Sequence, residues 1–313
     1  MQRFTTFPIP KNARGAALAI GNFDGVHLGH QSVLDQTRAA ANDAPVGVLT
    51  FEPHPREYFA QMTGQTQAPF RLLDADARAN RLEKLGLDVL VEVPFDAALA
   101  ALTPEEFCKN ILCDAVGASL VTVGADFKFG QGRAGTVDTL QAMGNRMGFD
   151  VHVAQLEQHG DAVISSTNIR QSLADADPRL AAAMLGHWHR IEGPVLHGEK
   201  RGRELGFPTA NMSIAGLHPP AFGVYAVVVD VLTGDHAGTY HGAASIGVRP
   251  MFGDNVPNCE TYIFDFKGDL YGQTLSVGLV DFLRGEQTFD NLDALITQMD
   301  SDCAQARSNL AQL

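Results

Sequence analysis

The chain changes its hydrophobic rhythm once. In the first half, short unbroken apolar runs alternate with stretches of helical spacing: 16–20 is followed by a helical pattern over 29–41, then by the β-branched run 46–51. Residues 74–85 predict a helix stopped by Gly86, and "DVLVEV" (88–93) the next strand. In "TPEEF", Pro104 occupies the first helical position and Glu106 lies three residues after Thr103, the pattern of a capping box. "SLVTVG" (119–124) and "FDVHVAQL" (149–156) complete the series. Strands without polar alternation have both faces covered, so this half predicts an α/β domain with a parallel sheet and helices on both sides.

From about Trp188 the rhythm becomes period two, broken by glycine and proline: "GVYAVVVDVL", "GAASIGVRP", "ETYIFDF" and "TLSVGLVDFL". That spacing predicts an antiparallel barrel or sandwich. A last helix carries Leu292, Leu295, Ile296, Met299, Cys303 and Leu310 on one stripe and is expected to lid or flank the barrel. The break falls near "LADADPRLAAAMLGHW", and 313 residues suit two domains, 1–183 and 184–313. No internal repeat is visible.

Charge narrows the partners. Lysine and arginine number 23 against 36 aspartates and glutamates, a net −13, which argues against nucleic acid or an anionic membrane as a general partner. A small anionic ligand remains compatible where cations cluster. The first residues lack the apolar core of a signal peptide, and no run approaches the ~20 apolar residues of a membrane span, so a cytoplasmic location is expected. The four cysteines, Cys108, Cys113, Cys259 and Cys303, form no CxxC pair and read as free thiols. Homo-oligomerisation is left open.

Candidate chemistry concentrates in a few segments. "GNFDGVHLGH" (21–30) follows the first parallel strand, where loops and a helix N-terminus converge and bind ligands in doubly wound sheets. Gly21, Gly25 and Gly29 permit close backbone approach, and the helix start favours an anion. His27 and His30 then serve as phosphate contacts, as two ligands of a metal, or as incidental members of a structural turn. Zinc is the weaker choice, because no further ligands follow at recognisable spacing. "GQGRAG" (130–135) is a literal G-x-G-x-x-G, but "ADFKF" separates it from its strand, unlike a dinucleotide fingerprint. "ISSTNIR" places Ser165, Ser166 and Thr167 at a helix start with Arg170 near its first turn, a plausible grip on a triphosphate. "GEKRGRELGFPTANM" (198–212) is the densest basic cluster, either a solvated loop or a phosphate loop. Within it, Thr209 and Asn211 alternate on an extended segment and offer two hard oxygens to Mg²⁺ carried with ATP. No Walker A sequence occurs.

These segments together resemble the bacterial bifunctional riboflavin kinase/FMN adenylyltransferase family. "GNFDGVHLGH" is similar to the G-x-F-D-x-x-H-x-G-H signature of nucleotidylyltransferases, and "TFEPHPREYF", "VGADFKFGQGRAG" and "ISSTNIR" resemble later motifs of the same domain. "GEKRGRELGFPTAN", "GVYAV", "IGVRPMFG", "ETYIFDFKGDLYG" and "FLRGEQTFDNLDALITQM" resemble riboflavin kinases, which form a small Greek-key barrel. The resemblance implies phosphorylation of riboflavin to FMN, with ADP released, and AMP transfer from ATP to FMN, giving FAD and pyrophosphate. It implies Gly21, Phe23, Asp24, Gly29, Ser165, Ser166 and Thr167 for ATP in the adenylyltransferase, with His27, His30 and Arg170 stabilising phosphate charge. Asp126, Phe127 and Arg133 would meet the flavin there. In the kinase it implies Gly198, Lys200, Gly202, Gly206 and Pro208 for ATP, Thr209 and Asn211 for Mg²⁺, Glu260 as base, and Phe282 and Arg284 for flavin. Two positions depart from the family pattern, Met251 where P-T-F is usual and Ser245 where asparagine is usual. Retention of only one activity, or a flavin-binding regulator without turnover, are the alternatives.

Overall fold

Buried parallel strands need cover on two faces, and the first half of the chain supplies it. β1 (Gln2–Phe4), β2 (Ala17–Ile20), β3 (Val46–Glu52), β4 (Val89–Pro94), β5 (Leu120–Gly124) and β6 (Asp150–Ala154) form one parallel sheet in the order β1-β4-β3-β2-β5-β6. The structure is a computed structural model that describes residues 1–155, 164–197, 206–248 and 257–313. Its described residues divide into two units, one within Met1–Gln67 and Arg78–Val163, the other within Ala68–Ala77 and Ile164–Leu313.

The first unit carries α1 (Leu28–Ala40), α2 (Pro55–Met62), α3 (Ala75–Lys84, shared with the second unit at its start), α4 (Ala97–Ala100), α5 (Pro104–Glu106) and α6 (Val137–Met147). β2 shows why its run is apolar throughout. Leu18 and Ile20 pack with Phe107, Leu112 and Leu140, while Ala17 turns the other way to Ala41 and Leu120. Four of these elements escaped the sequence reading, the short edge strand β1 and helices α2, α4 and α6. The Thr103–Glu106 capping box forms as expected, with Glu106 N–H donating to Thr103 Oγ1 at 3.2 Å and Thr103 N–H donating to Glu106 at 2.9 Å. The helix it opens is α-helical only through α5, then continues as a π-helix over Phe107–Val116 and stops at Gly117 in the left-handed region.

The second unit contains α7 (Ser166–Ala174) and α8 (Pro178–Leu185), then the strands β7 (His189–Pro194), β8 (Thr209–Ser213), β9 (Gly223–Val231), β10 (Gly238–Val248), β11 (Pro257–Ile263) and β12 (Thr274–Gly285). They pair antiparallel in the order β7-β12-β9-β10-β11-β8. Leu196 N–H donates to the Asn211 carbonyl at 2.8 Å, tying the two end strands so that the sheet closes on itself. Tyr225, Val227, Met212, Ile246, Cys259 and Val277 fill its interior. Two register shifts in β12, at Leu279/Asp281 and Phe282/Arg284, bend the strand around the barrel.

The last helix, α9 (Leu292–Leu310), flanks the barrel, with Ala306 and Leu310 packed on Ala226, Ala243, Phe264 and Val280. The expected stripe is corrected at its start, where Leu292 is 53% exposed; Leu310 is buried as expected, and Asp302 and Ala306, outside the stripe, are buried with it. A carboxylate sits in that face because Arg284 reaches it, as described below. No helix among the described residues is long and apolar enough to cross a membrane.

One buried charge cluster ties the parallel sheet to α3. Arg78 donates to Glu92 at 2.6 Å and to Glu52 at 3.1 Å, and Arg3 donates to the other Glu92 oxygen at 2.6 Å. Arg78 and Glu92 are both fully covered, so removing one partner leaves a buried charge undercompensated. Arg78→Ala is expected to lower stability by about 3 kcal/mol, read as a shift in the urea midpoint; an unchanged midpoint would show the cluster to be energetically neutral.

Candidate functional site

β2 ends at the point where the chain order of the sheet reverses, since β3 and β4 lie on one side of it and β5 on the other. The segment leaving that strand is tightly wound. Phe23, Gly25 and Val26 all adopt positive φ, and Phe23 and Val26 are fully buried. For a β-branched residue such as Val26 this is a strained conformation, held by its burial. His27 is the N-cap of α1, and its Nδ1 accepts from the His30 N–H at 3.3 Å. That acceptor role leaves the His27 proton on Nε2. The His27 and His30 rings stack with centroids 3.6 Å apart and planes 16° from parallel, and Phe23 lies 5.0 Å from His30. A Cβ on Gly29 would press to 3.2 Å from the His27 ring, so the close stack favours glycine there.

Both imidazoles are neutral in the folded chain. Burial pushes His27 down to about 4, and burial together with the neighbouring His27 holds His30 well below the usual histidine range. His30 Nδ1 is buried without a hydrogen-bond partner. No cluster of three or more metal-ligating side chains exists among the described residues, which leaves the zinc reading without its further ligands.

Beside this turn the same unit holds a cavity of about 840 Å³. Gly21 and Asn22 form one edge; Asp126, Phe127 and Arg133, singled out from the sequence, form another. Neither histidine is among its walls. Sequence reasoning missed its aromatic members Phe51, Phe59 and Phe95, which meet edge to face at 5.8 Å (Phe51 to Phe95) and 5.7 Å (Phe59 to Phe95). Phe59 is 52% exposed, one of two large apolar side chains, with Met62, that this helix leaves open to solvent. That apolar pair in "PREYFAQM" was the available signal. His54 and Arg56, also in the wall, were missed as well; His54 Nδ1 accepts from Arg56 N–H at 3.0 Å and caps α2. The G-x-G-x-x-G segment is a cavity loop: Gly130 has φ +71, and a Cβ on it would lie 2.8 Å from Pro104 N. Its glycine therefore serves packing against α5; α6 begins only after the segment, at Val137, whereas in a dinucleotide fold the glycines themselves turn from the strand into the helix.

Ser165, Ser166, Thr167 and Arg170 belong to the second unit. Ser165 caps α7 by accepting from Asn168 N–H at 3.2 Å. Arg170 donates to the Phe70 carbonyl at 3.2 Å and to Thr167 Oγ1 at 3.5 Å, with its guanidinium 5.9 Å from the centre of the Phe70 ring.

On the barrel, pairing register assembles what sequence separation hides. Asn211 on β8 lies opposite Glu260 on β11, and Glu260 lies opposite Ser245 on β10. The same row continues through Val224 to Arg284. Thr209, two residues before Asn211, shares its face, and Asn211 is 7% exposed with Nδ2 donating to the Thr209 carbonyl at 3.2 Å. Asn258 Nδ2 donates to Glu260 at 3.1 Å. Phe282 and Arg284 are separated by a register shift: Phe282 packs on Tyr225 at 5.2 Å with the interior cluster. Arg284 instead forms a two-pronged pair with Asp302 of α9, at 2.7 and 3.0 Å. Gly206, in the left-handed region, and Pro208 lead into β8, whereas Gly198, Lys200, Gly202 and Met251 lie outside the described residues.

Comparison with known proteins finds a family for each half of the chain. Residues 9–168 match the family model of FAD synthetase and residues 185–310 that of riboflavin kinase. The chain is 42% identical to a bifunctional riboflavin kinase/FMN adenylyltransferase of Pseudomonas fluorescens, over 94% of this chain and 93% of the relative. It is 40% identical to the protein of the same name from Escherichia coli K12, over 94% and 92% of the two chains. A solved structure described as a macrolide-efflux protein from Streptococcus pneumoniae superposes with TM-score 0.77 and 30% identity, covering 94% of both chains.

The buried neutral histidines set a pH dependence of stability. Above pH 6.5 they are uncharged in both folded and unfolded chains. As pH falls below 6.5 the unfolded chain takes up protons that the folded chain refuses, so stability is lost progressively until about pH 4, where folded His27 also charges. The loss is expected to reach roughly 3 kcal/mol for His27. It should disappear in the His27→Gln/His30→Gln double variant when urea midpoints are compared between pH 7 and 4.5; parallel curves for the two proteins would refute the assignment.

Proposed function

The chain belongs to the bifunctional riboflavin kinase/FMN adenylyltransferase family, and from that membership we propose how its two sites divide the work. The barrel phosphorylates riboflavin with ATP, giving FMN and ADP, and the parallel-sheet domain transfers AMP from a second ATP to FMN, giving FAD and pyrophosphate. The boundary between the activities is placed at 183/184. The observation that carries the reading is the pairing of Asn211 with Glu260 across β8 and β11, with Thr209 on the same face, in a unit distinct from the one holding the histidine turn. ATP is the co-substrate of both reactions, and the cytoplasm is the proposed location.

In the kinase, Glu260 accepts the proton of the riboflavin 5′-hydroxyl as its oxygen attacks the γ-phosphorus and ADP departs. Asn258 steadies the carboxylate from one side. Thr209 and Asn211 provide a hydroxyl and an amide oxygen, the hard, uncharged donors that suit Mg²⁺ when it also holds phosphates and water. That donor set fits, and among the described residues no carboxylate cage competes with it. Bound there with ATP, Mg²⁺ would neutralise charge on the transferred phosphoryl group.

In the adenylyltransferase, an FMN phosphate oxygen attacks the α-phosphorus and pyrophosphate leaves. The attacking oxygen is already anionic, so no base is required. His27 acts through its Nε2–H as a neutral donor to the phosphates, His30 stands beside it, and the α1 N-terminus adds its partial positive charge. Arg170, with Ser165, Ser166 and Thr167, supplies the full positive charge and hydroxyl donors. The aromatic cavity of Phe59, Phe95 and Phe127 suits the planar, largely apolar flavin ring, with Gly21 bordering it on the histidine side.

Feeding riboflavin and FMN separately with Mg-ATP tests the division, with products separated by chromatography. His30→Ala is expected to cut FAD formation at least about 100-fold while FMN formation stays near the wild-type rate. Glu260→Ala should do the reverse, with supplied FMN still adenylylated; equal loss of both activities in either variant would break the two-site model. Phe59→Ala should raise KM for FMN about tenfold with little change in riboflavin phosphorylation, and an unaltered KM would move the flavin out of this cavity.

A further inference from the structure

Arg170 is held by a closed circuit of hydrogen bonds among three segments distant in sequence. Its guanidinium donates to the Phe70 carbonyl at 3.2 Å. The next carbonyl, Arg71, accepts from His218 N–H at 2.8 Å, within the parallel bridge that pairs Arg71 with Leu217. The circuit closes when His218 Nε2 meets the Arg170 carbonyl at 3.0 Å. A carbonyl can only accept, so Nε2 carries the proton and donates. Beside it, Ala221 N–H donates to the Leu173 carbonyl at 2.9 Å, and Tyr225 on β9 donates its hydroxyl to the Ala221 carbonyl at 2.5 Å. All of these residues lie in the unit that contains the barrel.

We propose that His218, in the loop leading into β9 of the kinase barrel, is a positioning residue for the adenylyl transfer, acting through Arg170. The inference rests on the role given to Arg170 above. Its physical basis is that α7 spans only Ser166–Ala174, too short to hold its own frame in water. The placement of the Arg170 backbone therefore comes from outside the helix. A phosphate-binding guanidinium stabilises a transition state only when it is fixed before the charge develops, because a mobile one must be ordered during the reaction. His218 and Phe70 grip Arg170 at opposite ends, backbone carbonyl and guanidinium, and the Arg71 link keeps the two grips in register. The kinase barrel thereby contributes to a reaction that its own base and metal ligands do not touch.

The test uses the full-length protein. His218→Ala is expected to lower kcat/KM for ATP in FAD formation roughly three- to tenfold, the size of one lost hydrogen bond. FMN formation from riboflavin by the same preparation should stay within about twofold of wild type, which reports that the unit carrying both His218 and the barrel is folded. His218→Gln, whose Nε2 can also donate, should recover much of the loss. FAD formation unchanged in His218→Ala, FMN and FAD formation falling together, or no recovery with glutamine would each overturn the proposal. Arg170→Ala, assayed in parallel, separates the two layers. If that variant makes FAD at the wild-type rate, the role of Arg170 is wrong. If it is deficient while His218→Ala is not, only the positioning by His218 is wrong.

Discussion

His27 and His30 stack at 3.6 Å between ring centres, and two imidazolium cations cannot share that contact in a buried site. This constraint governs the chemistry of the first unit. With both rings neutral, they offer hydrogen bonds whose strength comes from fixed geometry, and the positive charge that the proposed phosphate contacts need must come from elsewhere. The helix N-terminus supplies part of it without titrating. The glycine at position 29 leaves room for the stack, and the Nδ1 acceptor at the helix cap keeps one tautomer in place. The apolar strand before the histidine turn, buried on both faces, fixes where that turn can stand.

The barrel solves a different problem with a different device. The groups proposed to react there are uncharged oxygens and one carboxylate, set side by side by strand register, where neighbouring Cβ atoms lie about 5 Å apart. Period-two alternation puts Thr209 and Asn211 on one face and leaves Ala210 and Met212 to the interior. Arg284 is aimed by Asp302, a buried carboxylate that interrupts the apolar face of α9 and also accepts from Gln298 at 2.8 Å. The helix thus does more than cover apolar surface, since its one buried charge fixes the guanidinium at the end of the polar row.

The two units are not a clean partition of motifs. Ile164–Arg170 resembles part of the adenylyltransferase, yet α7 and α8 pack within the unit of the barrel, with Ile169, Leu173, Met184 and Leu185 joined by Leu72 in one cluster. A segment near position 70 is drawn into the same unit by Arg170 and His218. Compactness follows apolar contact, whatever reaction a side chain serves.

Much was legible in the sequence because short-range physics writes it there. Continuous apolar strands imply two covered faces, alternation implies one, and the Thr103–Glu106 box marks its helix start wherever the chain folds. Glycine and histidine at fixed spacing after a strand marked the tight turn into α1. What the tertiary structure alone decided depends on contacts between distant segments. The stacking and neutrality of the histidines need burial that no local pattern encodes, and the π-helix over Phe107–Val116 carries an ordinary helical pattern. The bulge that sends Phe282 inward and Arg284 to Asp302 breaks the alternation their spacing implied. The cavity wall of Phe51, Phe59 and Phe95 gathers three aromatics from β3, α2 and the loop after β4, and the Arg170 circuit joins positions 70, 170 and 218. Periodicity reports which face of an element is buried; only the folded chain decides what that face meets.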